Sequence, residues 1–391
     1  MSKYDFDEVI DRRGSGCIEH DGAPLFKKPE GLLSMWVADM DFRSPDPVRK
    51  SLKEWAEFGI FGYSMLQDSY YEALEGWFAH RHGLDIKKEW VVTTPGVVFA
   101  LSMAVRALTR PGDSVIICRP VYYPFSSVIE GNDRNLINSP LVLKEGRYQV
   151  DYGDFEKKIV ENGVKLFILC SPHNPVGRVW TEEELKKIGE ICLAHDVKVV
   201  ADEIHCDFVW SDHPHTPFIT VDDRFRDITV TCTAPSKTFN LAGLQLSNII
   251  IPDPAMRKAF SRQISSTGMG GPSCMGMAAC EAAYRQGGEW LDQLKDYLRG
   301  NIDFLRGYLE ENIPEVKLIE PEGTYLLWLD MRDLGMNEEE LEKFITDAGL
   351  WFDGGGMFGP EGAGFQRLNA ACPRSVIKEA LEKIKQAIAA R

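Results

Sequence analysis

What the chain lacks narrows the classes it can belong to. No apolar run approaches the roughly twenty residues that a membrane-spanning helix needs. The opening stretch Met1 to Asp11 is acidic and has no apolar core of a secretory signal, so no signal peptide is expected. Basic residues are the minority, 44 Lys plus Arg against 59 Asp plus Glu, for a formal net charge of −15. Nucleic acids and anionic membranes need a basic face, so neither is expected as a partner. The nine cysteines are odd in number and contain no C-x-x-C. Cys118, Cys170 and Cys232 sit in apolar runs, where a cysteine behaves as a small hydrophobe. Reduced thiols in a cytoplasmic protein are therefore expected, not a disulfide framework. Internal repeats, low-complexity tracts and disordered linkers are missing as well.

What is present is an ordinary globular composition, 44% hydrophobic and 26% charged over 391 residues, a length that suits two domains. After an irregular N-terminal segment that closes on Met35 to Phe42, Pro47 opens a helix to about Phe58. A second helix runs from about Ser69 to His82 and stops at Gly83. A repeating pattern follows. Short apolar strands are expected at Val91 to Thr93, Val115 to Cys118, Lys165 to Cys170, Val197 to Ala201, Ile228 to Cys232 and Asn248 to Ile251. Val98, Leu101, Val105 and Leu108 recur at helical spacing, and Thr181 with Glu184 forms a capping box for a helix to about His195. A loop is expected through Pro120 and Pro124. Strands without polar alternation, separated by helices, indicate an α/β fold with a mostly parallel sheet covered on both faces. Ligands in such sheets bind beyond the carboxyl ends of the strands. The last third reads as a smaller α+β unit. It has helices at about Trp290 to Asn312, Asn337 to Ala348 and Ser375 to Ala390, and strand-like Gly323 to Leu329 and Gly364 to Leu368. The expected division is an N-terminal segment 1–45 packing with the small domain, a large domain 46–288 and a small domain 289–391.

Four of the strands end in unusual loops. Thr94-Pro95-Gly96-Val97-Val98 sits at a strand-to-helix junction, whose free N–H groups and positive dipole end suit a phosphate; a plain tight turn is the alternative, and no G-K-[ST] follows to make it a P-loop. Ser171-Pro172-His173-Asn174-Pro175 fixes one amide between prolines, though asparagine is also a common turn residue. Val200-Ala201-Asp202-Glu203 puts a carboxylate at the end of a buried strand, where it needs a partner. For Glu203 a helix cap or a structural ion pair is the credible role. Pro235-Ser236-Lys237-Thr238 carries a lysine at a strand mouth, where desolvation would lower its pKa and make it a nucleophilic amine. Asn174, Asp202 and Lys237 together offer what a pyridoxal 5′-phosphate (PLP) ring requires: a hydrogen bond to the ring hydroxyl, a carboxylate for the ring nitrogen and an amine for the aldehyde.

On these motifs, with Ala38-Asp39-Met40-Asp41-Phe42, Phe61-Gly62-Tyr63, Asp202-Glu203-Ile204-His205 and Arg367-Leu368-Asn369-Ala370-Ala371-Cys372-Pro373-Arg374, the chain resembles fold type I PLP enzymes of the aspartate aminotransferase superfamily. Within them it resembles the MalY/PatB-type cystathionine β-lyases, also called cysteine-S-conjugate β-lyases, from about Phe6 to the end. The resemblance implies a carbon–sulfur lyase of amino-acid metabolism that releases a thiol, pyruvate and ammonia. It implies that Tyr122 stacks on the cofactor ring and that Arg367 binds the substrate carboxylate. It places the phosphate on Gly96, Val97 and Val98 with help from Ser236, and it puts His205 near the ring. Tyr63 would reach the neighbouring subunit's phosphate, which implies a homodimer.

Departures from the general aminotransferase pattern are His205 in place of a tyrosine, Ala234 in place of a serine and Gln245 in place of a phosphate-binding arginine. They leave the phosphate contacts partly open and favour the lyase over an aminotransferase, the nearest alternative. A ligand-sensing regulator on the same fold would carry a DNA-binding domain ahead of it, and only about forty acidic-to-neutral residues stand there. Two motifs are set aside. Gly354-Gly355-Gly356-Met357-Phe358-Gly359 spells a dinucleotide fingerprint without the helix that should follow, so a flexible loop near the substrate entrance is expected. His80 with His82 and His213 with His215 lack a third ligand cluster in sequence, so solvated positions and no metal are expected.

Overall fold

The computed structural model describes residues 4–210 and 212–391. Seven strands build the central sheet: β1 (Val91–Thr94), β2 (Ser114–Ile117), β3 (Asn135–Asn138), β4 (Leu166–Cys170), β5 (Lys198–Asp202), β6 (Thr229–Thr233) and β7 (Ser247–Ile250). Their order across the sheet is β1-β7-β6-β5-β4-β2-β3, and only β7 runs against the rest. Side chains of β2, β4, β5 and β6 are buried on both faces, or nearly so, which is why these strands show no polar alternation. The covering helices include Val97–Leu108, Glu182–Ala194 and Pro254–Ser266. The Thr181/Glu184 capping box is formed as expected.

Register sets the position of everything that follows. Cys170 pairs with Asp202, and Asp202 pairs with Cys232, so three parallel strands end level with one another. On the other side of β6, Asn248 pairs with Thr233 and Ser247 with Thr94. The loops that leave Thr94, Cys170, Asp202 and Thr233 therefore open on one edge of the sheet, the side where ligands bind in such folds.

A second sheet, β8 (Lys317–Ile319), β9 (Leu326–Asp330), β10 (Asp353–Gly354) and β11 (Phe365–Asn369), has the order β8-β9-β11-β10 and is antiparallel throughout. The helices Gly288–Asn312, Glu338–Asp347 and Arg374–Ala389 pack with it. The N-terminal segment is not merely irregular. Leu33 and Ser34 add a short strand beside Leu350 and Trp351, after a helical turn at Ile18–Asp21.

Other differences from the sequence expectation have simple causes. Pro124 opens a helix, Pro124–Glu130, instead of lying within a loop, because proline at the first turn gives up no helical hydrogen bond. Strand β3 is an edge strand flanked by asparagines and carries no apolar run to announce it. The hairpin Val142–Lys144 with Arg147–Gln149 and the helix Tyr152–Asn162 lie in a stretch too polar to stand out.

The two sheets are joined by a buried ion network. Glu322, just before β9, accepts from Arg147 Nε (2.5 Å), Arg178 Nε (2.7 Å) and the Val179 N–H (2.9 Å). Arg178 also holds Glu184 at 2.7 Å and is only 2% exposed. Removing one member of a buried charge pair costs about 3–5 kcal/mol, because the other is left uncompensated. Glu322→Ala is therefore expected to lower the urea-unfolding free energy by about that much, with Glu322→Gln milder. A loss below about 1 kcal/mol, the scale of an exposed pair, would mean that the network carries no such burden.

Candidate active site

Each strand-end loop delivers one group to a common cavity of about 370 Å³. Lys237 stands in a one-turn helix, Pro235–Thr238, that leaves β6. Its Nζ donates to the Ala38 carbonyl at 2.6 Å. Burial lowers its pKa from 10.5 to about 8; Arg367 acts in the same sense, while Asp39 and Asp202 oppose. An amine in that range is a usable nucleophile and base near neutral pH.

Asp202 is the last residue of β5 and is 3% exposed. Burial raises its pKa from 3.8 to about 7, while the Ile204 N–H (3.2 Å to Oδ1) and Lys237 pull it down. No cation is in hydrogen-bond contact with it among the described residues. Glu203 beside it behaves differently: it accepts from the Phe218 N–H (2.8 Å) and lies 3.3 Å from His215 Nε2. The structural role expected for Glu203 is borne out.

Asn174 lines the same cavity, 3% exposed. Its Oδ1 accepts from Arg367 Nη1 at 3.1 Å, which leaves the amide N–H groups to point elsewhere. Tyr122, Gly96, Val97, Val98, Ser236 and His205 complete the set expected from the sequence. Gly96 precedes the twelve-residue helix Val97–Leu108, whose first N–H groups have no intrahelical partner. A Cβ built on Gly96 would meet nothing within 4 Å, so the approach to those groups is open. Burial lowers the His205 pKa to about 3, helped by the charges of Lys237 and Arg367, so this imidazole is neutral, and its Nδ1 is buried without a partner. Gln245, noted as a departure, also lines this cavity, with Ser247.

A second cavity, of about 850 Å³, shares Ala38, Tyr122 and Lys237 with the first. Arg367 lines it from the middle of β11 and is 2% exposed, not a surface residue. Its Nη2 donates to the Trp36 carbonyl at 2.7 Å and pairs with Asp353, while its Nε is buried without a partner. Asp353 itself is pushed up to about 6 by burial, against the pull of Arg367. Tyr123 faces only this second cavity, whereas Tyr122 lines both. Tyr63 reaches neither cavity within its own chain and is fully exposed.

Sequence reasoning missed Asp353, Tyr325 and the backbone of Ala38. Tyr325 donates to the Ala38 carbonyl at 3.1 Å beside Lys237. Nothing in the spacing announced a main-chain acceptor 199 residues from its lysine. The Gly354–Gly359 loop does border the outer cavity, through Gly354 and Met357, but it is folded into short turns in which Gly355 and Phe358 are buried. The histidine expectation needs correction. The side chains of His82 and His215 are 5% and 1% exposed, not solvated, because the buried carboxylates of Asp207 and Glu203 require partners. His82, Cys206 and Asp207 lie close enough to hold an ion. Asp207 is instead taken up by His82 (2.9 Å) and by Thr238 (2.7 Å), directly below Lys237.

PLP fits the inner cavity on these observations. A protonated ring nitrogen would supply the cation that Asp202 lacks, Lys237 is a depressed-pKa amine, and a helix N-terminus stands open for a phosphate. The unpartnered Nδ1 of His205 and the free amide N–H groups of Asn174 are polar groups awaiting a ligand.

The family model described as aminotransferase class I and II matches residues 38–384. The chain is 44% identical over 384 residues to cystathionine beta-lyase PatB of Bacillus subtilis, covering 98% of this chain and 99% of that one. Among solved structures it is similar to cystalysin from Treponema denticola, which contains pyridoxal 5′-phosphate, at 39% identity and a TM-score of 0.96 over 99% of both chains. It is likewise similar to a PLP-bound C–S lyase from Staphylococcus hominis complexed with the inhibitor L-cycloserine, at 35% identity and a TM-score of 0.93 over 98% of both chains.

The raised pKa of Asp202 has a consequence for stability. The folded state keeps a proton that the unfolded chain has lost, so folding is disfavoured as pH rises from 3.8 towards about 7 and fully so above it. The penalty is on the order of 4 kcal/mol. In cofactor-free protein Asp202→Asn is expected to raise the unfolding temperature at pH 8. It should make almost no difference near roughly pH 2–3, below the unfolded value of 3.8, where the carboxyl is protonated in both states. Calorimetry at the two pH values checks this, and no gain at the higher one would contradict the assigned burial cost.

Proposed function

This chain belongs to the family of class I and II aminotransferases, and from that premise we propose that it is a PLP-dependent carbon–sulfur β-lyase acting on L-cystathionine or related cysteine S-conjugates. The observation that carries this reading is the position of Lys237 at the junction of two cavities. The inner one suits a cofactor. The outer one holds Arg367 and, at about 850 Å³, has room for a substituent on the cysteine sulfur.

On this reading the substrate carboxylate docks on Arg367, whose unpartnered Nε and planar fork suit two-pronged recognition. Asp353 and the Trp36 carbonyl hold the guanidinium in place. PLP supplies an electron sink for the pair released at the substrate Cα, and Asp202 keeps that sink charged. Lys237, as the neutral amine, takes the Cα proton. The Cβ–S bond then breaks, the sulfur leaves with its electron pair as a thiolate, and hydrolysis gives pyruvate and ammonia. Asn174 would hydrogen-bond the ring, Tyr122 would supply an aromatic wall for it, and Gly96, Val97, Val98 and Ser236 would hold the phosphate. Neutral His205 stands as a hydrogen-bonding wall. Gln245 and Ser247 are available to the phosphate where other members use an arginine.

The reading extends to architecture. The first 45 residues go with a small unit 289–391, and the large unit is 46–288; the pairing of Leu33 and Ser34 with Leu350 and Trp351 supports the first part. It also makes the protein a homodimer. Phe58, Ile60, Phe61, Tyr63 and Met65 are each more than half exposed within one short stretch, a contiguous apolar patch of the kind that marks an interface. Tyr63 would complete the neighbouring site. A cytoplasmic location is supported by nine unpaired cysteines, and no helix among the described residues is long and apolar enough to cross a membrane.

With cystathionine and no keto-acid acceptor, the holoenzyme is expected to release pyruvate and a thiol. Lys237→Ala should reduce the rate by about 10²–10⁴-fold, the usual contribution of a positioned base. Amino transfer to 2-oxoglutarate without pyruvate would replace the lyase by an aminotransferase. Sedimentation equilibrium should return twice the 44.1 kDa chain mass. A monomer at working concentration would remove the role given to Tyr63.

A further inference from the structure

The outer cavity has a chemical character of its own. Trp36 and Trp351 stack at 4.6 Å with their planes 15° apart, and Phe26 meets both edge-on at 4.9 and 5.6 Å. These rings come from the N-terminal segment and from the stretch before β10, which the Leu33–Leu350 pairing holds together. Around the mouth, Ile18, Phe26 and Met357 are 47%, 46% and 48% exposed, three large apolar side chains left uncovered. The Nε1–H of Trp36 is buried and has no acceptor among the described residues, although the indole lines the cavity. A buried donor without a partner costs about 1–3 kcal/mol, and a ligand with an acceptor atom would recover it.

Part of the lining is acidic. Glu338, Glu339 and Glu342 supply it from the first turns of the helix Glu338–Asp347. Among the described residues Glu342 has an ion-pair partner, Lys28, and Glu338 and Glu339 have none. The Glu338 carboxylate lies against Gly356 of the neighbouring loop, in space that a side chain at that position would occupy. The cavity thus combines an aromatic pair with two exposed carboxylates that have no ion-pair partner among the described residues.

We propose that this outer cavity is a leaving-group site that accepts aromatic thiols and thiols of neutral or positive net charge, the zwitterionic homocysteine of cystathionine among them, and discriminates against thiols of the same size that carry a net negative charge. Trp36 and Trp351 form the platform, and Glu338 and Glu339 form the charge filter. The proposal rests on the lyase reading, since it names the part of the substrate that the elimination releases. Continuity supports it, because Lys237 and Arg367 line the same cavity and fix Cα and the carboxylate at its inner end. An aromatic group against the indole pair gains about 0.5–1.5 kcal/mol beyond its buried area, and a cationic one gains cation–π attraction as well. A carboxylate in the same place meets like charge and a quadrupole of the wrong sign.

The test uses holoenzyme and a matched panel: S-methylcysteine, S-benzylcysteine, and the para-aminomethyl and para-carboxy derivatives of the latter. The neutral and cationic benzyl conjugates should exceed the carboxylate in kcat/KM by about tenfold or more, which is about 1.4 kcal/mol of discrimination. Glu338→Gln with Glu339→Gln should bring the carboxylate to within about threefold of S-benzylcysteine. Trp351→Leu should lower the S-benzyl value and spare S-methylcysteine, and Trp351→Phe, which keeps a ring, should restore it. Equal rates for benzyl and carboxybenzyl conjugates would overturn the proposal, as would a Trp351→Leu variant that loses S-methyl and S-benzyl turnover alike. A binding measurement separates this failure from that of the lyase reading. By calorimetry, benzyl mercaptan should bind the holoenzyme about tenfold or more tightly than its para-carboxy analogue. If no conjugate yields pyruvate the lyase reading falls, yet the calorimetric ranking still decides the character of the cavity, and equal affinities overturn it.

Discussion

The site depends on how one extended segment of backbone satisfies its carbonyls. From Met35 to Met40 the chain is largely buried and belongs to neither large sheet, so its polar groups must find partners one by one. Every carbonyl in that run has a donor, and most donors are site residues or their neighbours. Met35 O accepts from the Asn369 N–H, Trp36 O from Arg367 and Val37 O from the Asn369 side chain. Ala38 O takes Lys237 and Tyr325, Asp39 O again takes Asn369, and Met40 O takes Asn240. Asn240 lies three residues after Lys237, and Asn369 two after Arg367. The amide that follows each functional cation thus clamps the same strap. One short stretch of main chain registers the lysine of the first sheet against the arginine of the second.

That arrangement explains how the site tolerates its own electrostatics. Asp202 and Lys237 are each held away from their ordinary ionisation, the first raised and the second lowered, with burial the largest cause in both. Among the described residues neither has a close ion-pair partner. The site stores the cost of two poorly solvated groups, and a cofactor that meets both would recover it. Rigid support makes such a store possible. Thr238 is pinned by Asp207, which is pinned by His82, so the one-turn helix carrying Lys237 does not relax outwards towards water. His82, which read as a solvated residue in sequence, is part of this support.

What could be read from the sequence follows from the same physics. Strands β2, β4, β5 and β6 were legible because burial on both faces leaves no polar alternation. Asn174, Asp202 and Lys237 were legible because each follows such a strand. The glycine and capping signals located the helices Asp68–His82 and Glu182–Ala194 within a residue or so. Edge strand β3 was not legible, since it gains its place from β2 and not from its own side chains. Asp353 and Tyr325 were also out of reach. Asp353 matters only because β10 pairs it with Arg367, and Tyr325 only because Ala38 is brought to it from 287 residues away. Residues whose role is set by a strand end can be found from local pattern, whereas those set by a crossing between distant segments cannot.

This division separates chemistry from specificity in the molecule itself. The groups expected to handle the cofactor descend from consecutive strands of one sheet, whose register leaves them little freedom to vary in position. The groups around the outer cavity come from the strap, from the helix Glu338–Asp347 and from the Trp351–Gly354 stretch, none of which belongs to that sheet. A substitution at Glu338 or Trp351 can therefore recolour the outer cavity without moving Lys237, Asp202 or Asn174. The strap is the exception, because Trp36 contributes its ring to the outer cavity and its carbonyl to Arg367. Its side chain can change freely only while its backbone stays where Arg367 and Asn369 hold it. On the proposed reading, selection of the sulfur substituent is tied to the site through the Trp36 carbonyl and the Asp353 carboxylate that hold Arg367, so the rings and exposed charges around them are free to vary while the catalytic frame stays in place.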